Sequence, residues 1–332
     1  MNRCARFANP GVVTQGWYCA GPASRLKGAG PLGVELFGRR LVLFRGEDGL
    51  PRALDARCAH LGADLAMGTL DKGRLRCAFH QWTFSGDGRC VACPSAYAGH
   101  ERARARSWPA LERWGALWVW AGRTPLFALP DLPGPAWRLP AQRLRAHPHV
   151  VAMNGLDVHH FRAVHGLEFV GEPRLDQPDA YRTRLTLRAR VGNGGLLAGF
   201  VRALSGGTLE AEFTTVGANL AVIEGRAGKV PVRVLFSHAP HPDGGSVSRT
   251  FLIGNVWSRL PAALVMAHIL GGDRAVLDRL EFRPGFAPAD AALAAFADQA
   301  ERLPLIDEAV EAADRALSRG SAASEDMGAA GV

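Results

Sequence analysis

The segment Cys58–His80 reads CAHLGADLAMGTLDKGRLRCAFH, and it restricts what this chain can fold into more than any other stretch. Its two Cys and two His stand as Cys-x-His and Cys-x2-His, with sixteen residues between the pairs. Buried free Cys and satisfied core His are common one at a time, but they do not account for four such residues at this spacing. Tetrahedral zinc takes Cys2His2, yet zinc fingers pair Cys with Cys and His with His along the chain. Here each pair holds one of each. That arrangement suits a two-iron cluster with both Cys on one iron and both His on the other. His60 and His80 would then sit at the tips of two β-hairpins that clamp the cluster between them.

The rest of residues 11–125 fits an all-β unit. VELFGRRLVLFR (34–45), RLRCAFHQWTF (74–84) and GALWVWAG (115–122) are rich in β-branched and aromatic residues, and turn signals at 47–49, 86–88 and 112–115 separate them. A proline-rich linker, 123–140, follows, which places a domain boundary near Pro125. Beyond it, NGLDVHHFRAVH has a helical pattern, and 181–191, 211–225, 230–240 and 246–257 alternate like antiparallel strands. Gly-rich interruptions at 192–198 and 205–207 read as loops around a pocket, and the apolar run Pro261–Leu270 as a buried helix. An Ala-rich tract from about Pro288 to Arg319 reads as a long helix, and 321–332 as a disordered tail. With 332 residues, the chain divides into 1–125, 126–320 and that tail.

A second constellation lies in the later part. Asp157, His160 and His165 are spaced Asp-x2-His-x4-His, so a helix would place Asp157 and His160 on one face and His165 at or just past its end. Two imidazoles and one carboxylate form the facial triad of non-haem Fe(II) oxygenases, which leaves coordination positions open. His159 is the alternative ligand if the register shifts by one.

The first motif resembles the Rieske [2Fe–2S] signature. LGADL after His60, Trp82 and Phe84 after His80, and WVW at 118–120 are similar to that family as well. Ala59 and Ala78 stand where Pro is frequent, and Gln81 where Gly is common. Respiratory Rieske proteins brace their loops with a disulfide; Ala63 and Phe79 occupy those positions here, as in the ferredoxin and oxygenase types. Cys90 and Cys93 form a CxxC with no second pair nearby and read as structural.

Together the motifs resemble the Rieske non-haem iron oxygenases over almost the whole chain, in the style of the ketosteroid hydroxylase and vanillate and dicamba demethylase group. The resemblance implies an α+β fold: an N-terminal all-β Rieske domain, then a catalytic domain with an antiparallel sheet of helix-grip form. It implies that Cys58, His60, Cys77 and His80 hold a [2Fe–2S] cluster and that His160 and His165 bind a mononuclear Fe(II). The third ligand would be an acid at the start of a C-terminal helix. In GGDRAVLDRLEFRPG that is Asp273, with Asp278 as runner-up; a plain helix N-cap would also explain Asp273 after two glycines. Asp157 would hydrogen-bond a cluster-ligating His of a neighbouring subunit in a head-to-tail homotrimer, and Asn154 matches a recurrent position near the iron.

The activity implied is O2-dependent monooxygenation of a hydrophobic, ring-containing small molecule. Hydroxylation, demethylation, desaturation and cyclisation are all open. No flavin or nicotinamide fingerprint is present; GAGPLG at 28–33 misses GxGxxG and reads as a turn. Electrons would therefore come from a separate reductase, with or without a ferredoxin. The formal charge of +8, carried almost entirely by Arg, suits an acidic partner and shows no nucleic-acid arm. No secretory signal or spanning segment is apparent, so a cytoplasmic protein is expected. The alternative from another class is a Rieske electron-transfer protein with a non-catalytic ligand-binding domain, or a steroid-binding module with a vestigial cluster.

Overall fold

The computed structural model describes residues 6–28, 30–94, 100–191, 202, 206–283 and 285–306. The strand Arg39–Arg45 lies between Leu32–Leu36 and Pro51–Asp55 in a four-stranded antiparallel sheet closed by Ser107–Trp108. Its alternation feeds two cores, because successive strand side chains point to opposite faces. Leu41 and Leu43 pack with Tyr18, Phe37 and Trp108. Val42 and Phe44 pack on the other side with Leu54, Leu65, Leu75 and Phe84, in a cluster that also contains Cys58 and Cys77. In a small sheet of Thr69–Asp71, Arg74–Arg76, Thr83–Phe84 and Cys90–Ala92, the Cys77–His80 loop joins the second strand to the third, as a hairpin. The Cys58–His60 loop instead leaves Pro51–Asp55 of the first sheet and leads through Leu65–Met67 into this one, so it is a connection between sheets and not the expected hairpin tip.

Ala116–Trp120 is the centre of a third sheet, between Trp17–Pro22 and Ala110–Arg113. It sorts its side chains in the same way. Leu117 and Val119 face the Tyr18 core, whereas Trp118 and Trp120 face outward with Trp17. These indoles meet Val216, Leu220, Leu235 and Phe251 of the later sheet in one buried cluster. The proline-rich stretch after residue 122 runs through this cluster, burying Phe127, Leu129 and Leu132. It is a packed strap rather than a free linker.

All later strands join a single nine-stranded sheet. In spatial order these are Ala136–Arg138, Ser246–Ile253, Val230–Pro240, Leu220–Ala227, Thr208–Val216, Arg182–Val191 and Leu167–Phe169; Gln142–Leu144 and Arg174–Asp179 pair alongside. Alternation again decides what each face meets. Leu235, Phe251 and Ile253 point to the Trp cluster, whereas Val234, Phe236 and Leu252 point to the helix Val256–Leu277 through Met266. That helix contains the apolar run read as a buried helix, and the sheet wraps one side of it.

Several elements differ from their sequence reading. The segment 211–225 is two strands joined by a tight turn at Gly217 (φ +60°), not one strand. The strand starting at Ser246 ends at Ile253, and the helix begins three residues later. Among the described residues the Ala-rich helix runs from Ala291 to Arg302, where Pro304 holds Leu303 in an extended conformation (ψ 138°); the rest of the expected tract, 307–319, lies outside the described residues. Residues 192–201, which include all of the first Gly-rich interruption, residues 203–205, which include the start of the second, and 307–332, including the expected tail, lie outside the described residues. Among the described residues no helix is long and apolar enough to cross a membrane.

Candidate cluster loops and metal centre

The two Cys/His loops share one backbone design. Cys58 N–H donates to Ala63 O (2.9 Å) and Gly62 N–H to Cys58 O (2.9 Å). In the second loop Cys77 N–H donates to Trp82 O (2.9 Å) and Gln81 N–H to Cys77 O (3.1 Å). Each loop therefore turns through a residue four beyond its Cys, and both of these have positive φ: Gly62 at +76° and Gln81 at +63°. Only glycine adopts that region without a Cβ penalty. Gln81, which replaces the family's common Gly, thus keeps the loop hydrogen bond at a steric cost.

Within this frame the two Cys are buried, with Cys58 and Cys77 at 5% and 2% exposure, while His80 lies on the surface. The His60 and His80 rings meet edge-on at 4.7 Å, and His60 stacks flat on Trp82 at 4.5 Å. Burial pushes the Cys58 thiol up to about 11, and neighbouring Cys77 adds to the rise. A buried thiol pair of this kind gives up its protons to a bound cation. The donors of one tetrahedral zinc would lie within about 4 Å of one another. Among the described residues, only His160, His165 and Asp273 bring three such donors within 4.8 Å.

The second centre joins distant segments. His160 Nε2, His165 Nε2 and Asp273 Oδ1 form a near-equilateral triangle with sides of 2.8, 2.9 and 2.9 Å. Bonds of about 2.1 Å from one ion place neighbouring octahedral donors about 3.0 Å apart, against about 3.4 Å for tetrahedral ones. The triangle therefore fits one face of an octahedron and leaves the opposite face open. All three side chains are buried, at 7%, 8% and 13% exposure. Burial raises the Asp273 carboxyl, but hydrogen bonds from both imidazoles outweigh it and hold the group below its usual range.

Local folding explains how the triangle is presented. NGLDVHHFRAVH is not one helix: Pro148–Met153 passes through a 3-10 turn, Asn154–Leu156, into a second helix, Val158–Ala163. Asp157 is the N-cap of that second helix, its Oδ1 accepting from His160 N–H at 2.9 Å, rather than a face-mate of His160 within a helix. The cap fixes the helix that carries His160. His165 follows just past the helix end, and Asn154 Nδ2 lies 3.4 Å from His160 Nε2. His159 is exposed and points away, so the shifted register is not the one the structure builds.

Asp273 lies near the end of the helix Val256–Leu277, not at a helix start, so it is not an N-cap. Packing against the sheet carries that helix through Gly271 and Gly272, each of which costs about 1 kcal/mol in helix propensity. Asp278 instead accepts from Arg145 N–H (3.2 Å) and pairs with Arg274 (3.1 Å) at the surface.

His165 and Asp273 line a cleft that opens to the surface. Met266, Ile269, Leu270 and Leu277 line it from the helix, at the 3–4-residue spacing of one face that also holds Asp273. Phe161, Phe213 and Phe236 line it as well. Sequence reasoning did not single out His238, which is buried and also faces the cleft. Its signal was the alternation in VPVRVLFSHAP, which puts His238 on the face of Val234 and Phe236.

Comparison with known proteins agrees with this geometry. Residues 16–109 match the Rieske [2Fe-2S] domain family. A cholesterol 7-desaturase of Bombyx mori is 35% identical over 172 residues, covering 49% of this chain and 38% of that protein. A 3-ketosteroid-9-alpha-monooxygenase oxygenase component of Rhodococcus rhodochrous is 33% identical over 169 residues, covering 47% and 45%. The chain thus spans less than half the length of these curated relatives. Over nearly its full length it shares the fold of dicamba monooxygenase bound to dicamba (TM-score 0.65, 20% identity, 90% of this chain and 98% of that one). Pseudomonas putida CBB5 NdmA with caffeine aligns at TM-score 0.60 and 19% identity, over 84% and 88%. These matches define an iron–sulfur protein of α+β fold with a Rieske [2Fe–2S] domain. With its second domain included, the chain shares the fold of dicamba monooxygenase and NdmA.

Proposed function

We propose that this chain is the oxygenase component of a Rieske-type monooxygenase system that uses O2 to hydroxylate, demethylate, desaturate or cyclise a hydrophobic, ring-containing small molecule. One observation carries the reading: an open-faced His160–His165–Asp273 triangle at the wall of an apolar cleft. A carrier whose second domain only binds a ligand has no use for three converging metal donors. The relatives named for steroid substrates support a ring-containing substrate, as do the ligands named with the fold's neighbours. In the domain division that follows, residues 1–125 hold the cluster and 126–320 the iron. The change of sheet membership between Ala116–Trp120 and Ala136–Arg138 supports it.

Cys58, Cys77, His60 and His80 would hold the cluster, and His160, His165 and Asp273 the ferrous ion. Together these groups supply the reductive activation of O2 that no side chain can perform. The chain's own residues set the conditions. Helix and sheet walls exclude water and hold the substrate against the open face of the triangle. Asn154 Nδ2 lies 3.4 Å from His160 Nε2, beside the triangle. Asp157 keeps one oxygen on the helix cap, and its surroundings open onto a surface hollow lined by Leu156, His159, Arg162 and Glu172. A partner subunit's cluster imidazole would dock there. The exposed rim of Leu61, Met67 and Phe79 beside His80 supports such a contact, and hence a head-to-tail homotrimer. Electrons would come from a separate reductase, with or without a ferredoxin, in the cytoplasm.

Anaerobic purification with iron and acid-labile sulfide assays tests the reading, together with O2-dependent turnover of ring compounds by a surrogate reductase. Three irons to two sulfides per chain, plus product, are expected. Two irons to two sulfides, in a protein that rejects added Fe(II), would return the chain to the electron-carrier class.

A further inference from the structure

Away from the metal centre, Arg274 and Thr214–Thr215, the mostly apolar cleft wall carries a short row of hydrogen-bonding side chains. Gln142, Ser248 and His238 stand directly opposite one another on three adjacent strands, and all three line the cleft. Direct cross-strand partners share one face of a sheet, so the row is a single polar band on an apolar wall.

His238 is its most constrained member. The residue is 3% exposed, its ring lies parallel to that of Phe236 (11°, centroids 6.1 Å apart), and its Nδ1 meets no hydrogen-bond partner among the described residues. A neutral imidazole has one N–H to donate and one lone pair to fill. Buried polar atoms are normally satisfied, and an exception calls for an explanation. Burial drives the His238 pKa down to about 3, so the ring is neutral at working pH and does not attract an anion. The one full cation on the cleft wall, Arg274, is half exposed and already paired with Asp278.

We propose that His238, flanked by Ser248 and Gln142, is the positioning residue that hydrogen-bonds a neutral oxygen of the substrate, a ketone or hydroxyl on the ring system. This rests on the oxygenase reading and narrows its substrate class. The substrate is an uncharged oxygenated ring compound, not a carboxylate. The hydrogen bond fixes which carbon of an otherwise featureless apolar body faces the metal centre, because apolar walls alone give little orientation.

The test is equilibrium binding to the full chain, independent of reductase and turnover. The probes are a polycyclic ketone, its deoxygenated hydrocarbon and a carboxylic acid on the same ring system, each measured with wild type, His238→Leu and His238→Gln. Wild type is expected to bind the ketone at least tenfold tighter than the hydrocarbon. His238→Leu should shrink that ratio below threefold while leaving hydrocarbon affinity unchanged, and His238→Gln should restore part of it. The melting temperature of His238→Leu should stay level or rise, since an apolar replacement removes an unsatisfied buried group. A merely structural histidine would instead lower the melting temperature and weaken all three ligands together. Tightest binding of the carboxylate, or a ketone preference that survives in His238→Leu, overturns the proposal. Loss of turnover with the binding pattern intact overturns the oxygenase reading alone.

Discussion

Asp157 is placed to do two jobs, and two substitutions separate them. As N-cap it accepts one hydrogen bond, from His160 N–H at 2.9 Å, at the start of a helix only six residues long. Replacing a capping Asp by Ala costs about 1 kcal/mol, whereas Asn caps about as well as Asp. In a chain of this length 1 kcal/mol corresponds to a fall of roughly 2 °C in melting temperature. Asp157→Ala should therefore melt about 2 °C lower, and it should bind the mononuclear iron less tightly, because the helix start that aims His160 is loosened. Asp157→Asn should match wild type in melting temperature, iron and sulfide content. If the second job is to hydrogen-bond a partner subunit's cluster imidazole, only a carboxylate supplies the negative charge that stabilises that contact. Turnover of Asp157→Asn should then fall by at least about 100-fold, the scale for removing one positioned charged hydrogen bond near the reacting centre. Anaerobic single-turnover measurement of cluster reoxidation, with substrate and O2 added, locates the loss in electron transfer. An Asp157→Asn enzyme that is fully metallated and reoxidises its cluster at the wild-type rate refutes the second job and leaves Asp157 as a cap.

Three further outcomes follow from the same geometry. Asp273→Ala should bring iron from three to two per chain with sulfide unchanged, whereas Asp278→Ala, at a surface pair, should leave iron content alone; metal analysis of the two variants decides between the acids. Gln81→Gly removes a side chain from a left-handed position (φ +63°) and should stabilise the second cluster loop by about 0.5–1 kcal/mol, read as slower thermal bleaching of the cluster. Burial depresses the pKa of His147 to about 4, of His238 to about 3 and of His149 well below 6.5, so the unfolded chain binds these protons first as pH falls. Stability should be flat above pH 6.5 with respect to these groups. It should drop as pH falls from 6.5 toward 4 and then 3, by up to about 1.4 kcal/mol per pH unit for each proton. Denaturant titrations in that window should show His238→Leu with one proton less of slope.

What the sequence made legible followed from how local each constraint is. The cluster loops could be read because each supplies its ligands within three or four residues, and such a loop needs only its own turn to present them. Gly62 and Gln81 even mark the turning point of each loop. The later strands were legible wherever alternation was clean, and were misjoined at Gly217, where the turn is too short to interrupt an apolar pattern. Asp157 was misplaced because Asp-x2-His fits a helix face and a helix N-cap equally well; only backbone angles tell them apart. Asp273 was found by resemblance, and its position was misread because an acid after Gly271-Gly272 imitates a helix start. The long-range packing of Met266, Ile269 and Leu270 on the sheet overrode that local signal.

The two centres also impose opposite demands, and the fold answers them with the same device. The cluster must sit near the surface, yet its thiol end must be dry; the strand Arg39–Arg45 supplies Val42 and Phe44 beneath Cys58 and Cys77 while His80 stays outside. On the proposed function the second centre must be buried, yet its open face must admit an apolar substrate. There the strand Val230–Pro240 sends Leu235 to the Trp118 cluster on one face and Phe236 and His238 into the cleft on the other. Period-2 alternation in two strands thus assigns the support to one face and the chemistry to the other. A one-residue slip in Val230–Pro240 would turn His238 and Phe236 into the Trp cluster and Leu235 into the cleft. All eleven residues of that strand are fixed by the register with Leu220–Ala227 or with Ser246–Ile253 on its two sides, from Val230↔Ala227 to Pro240↔Ser246. The orientation of the cleft-facing wall is therefore set by pairing along the whole strand together with the alternation that buries Leu235 on one face and Phe236 on the other.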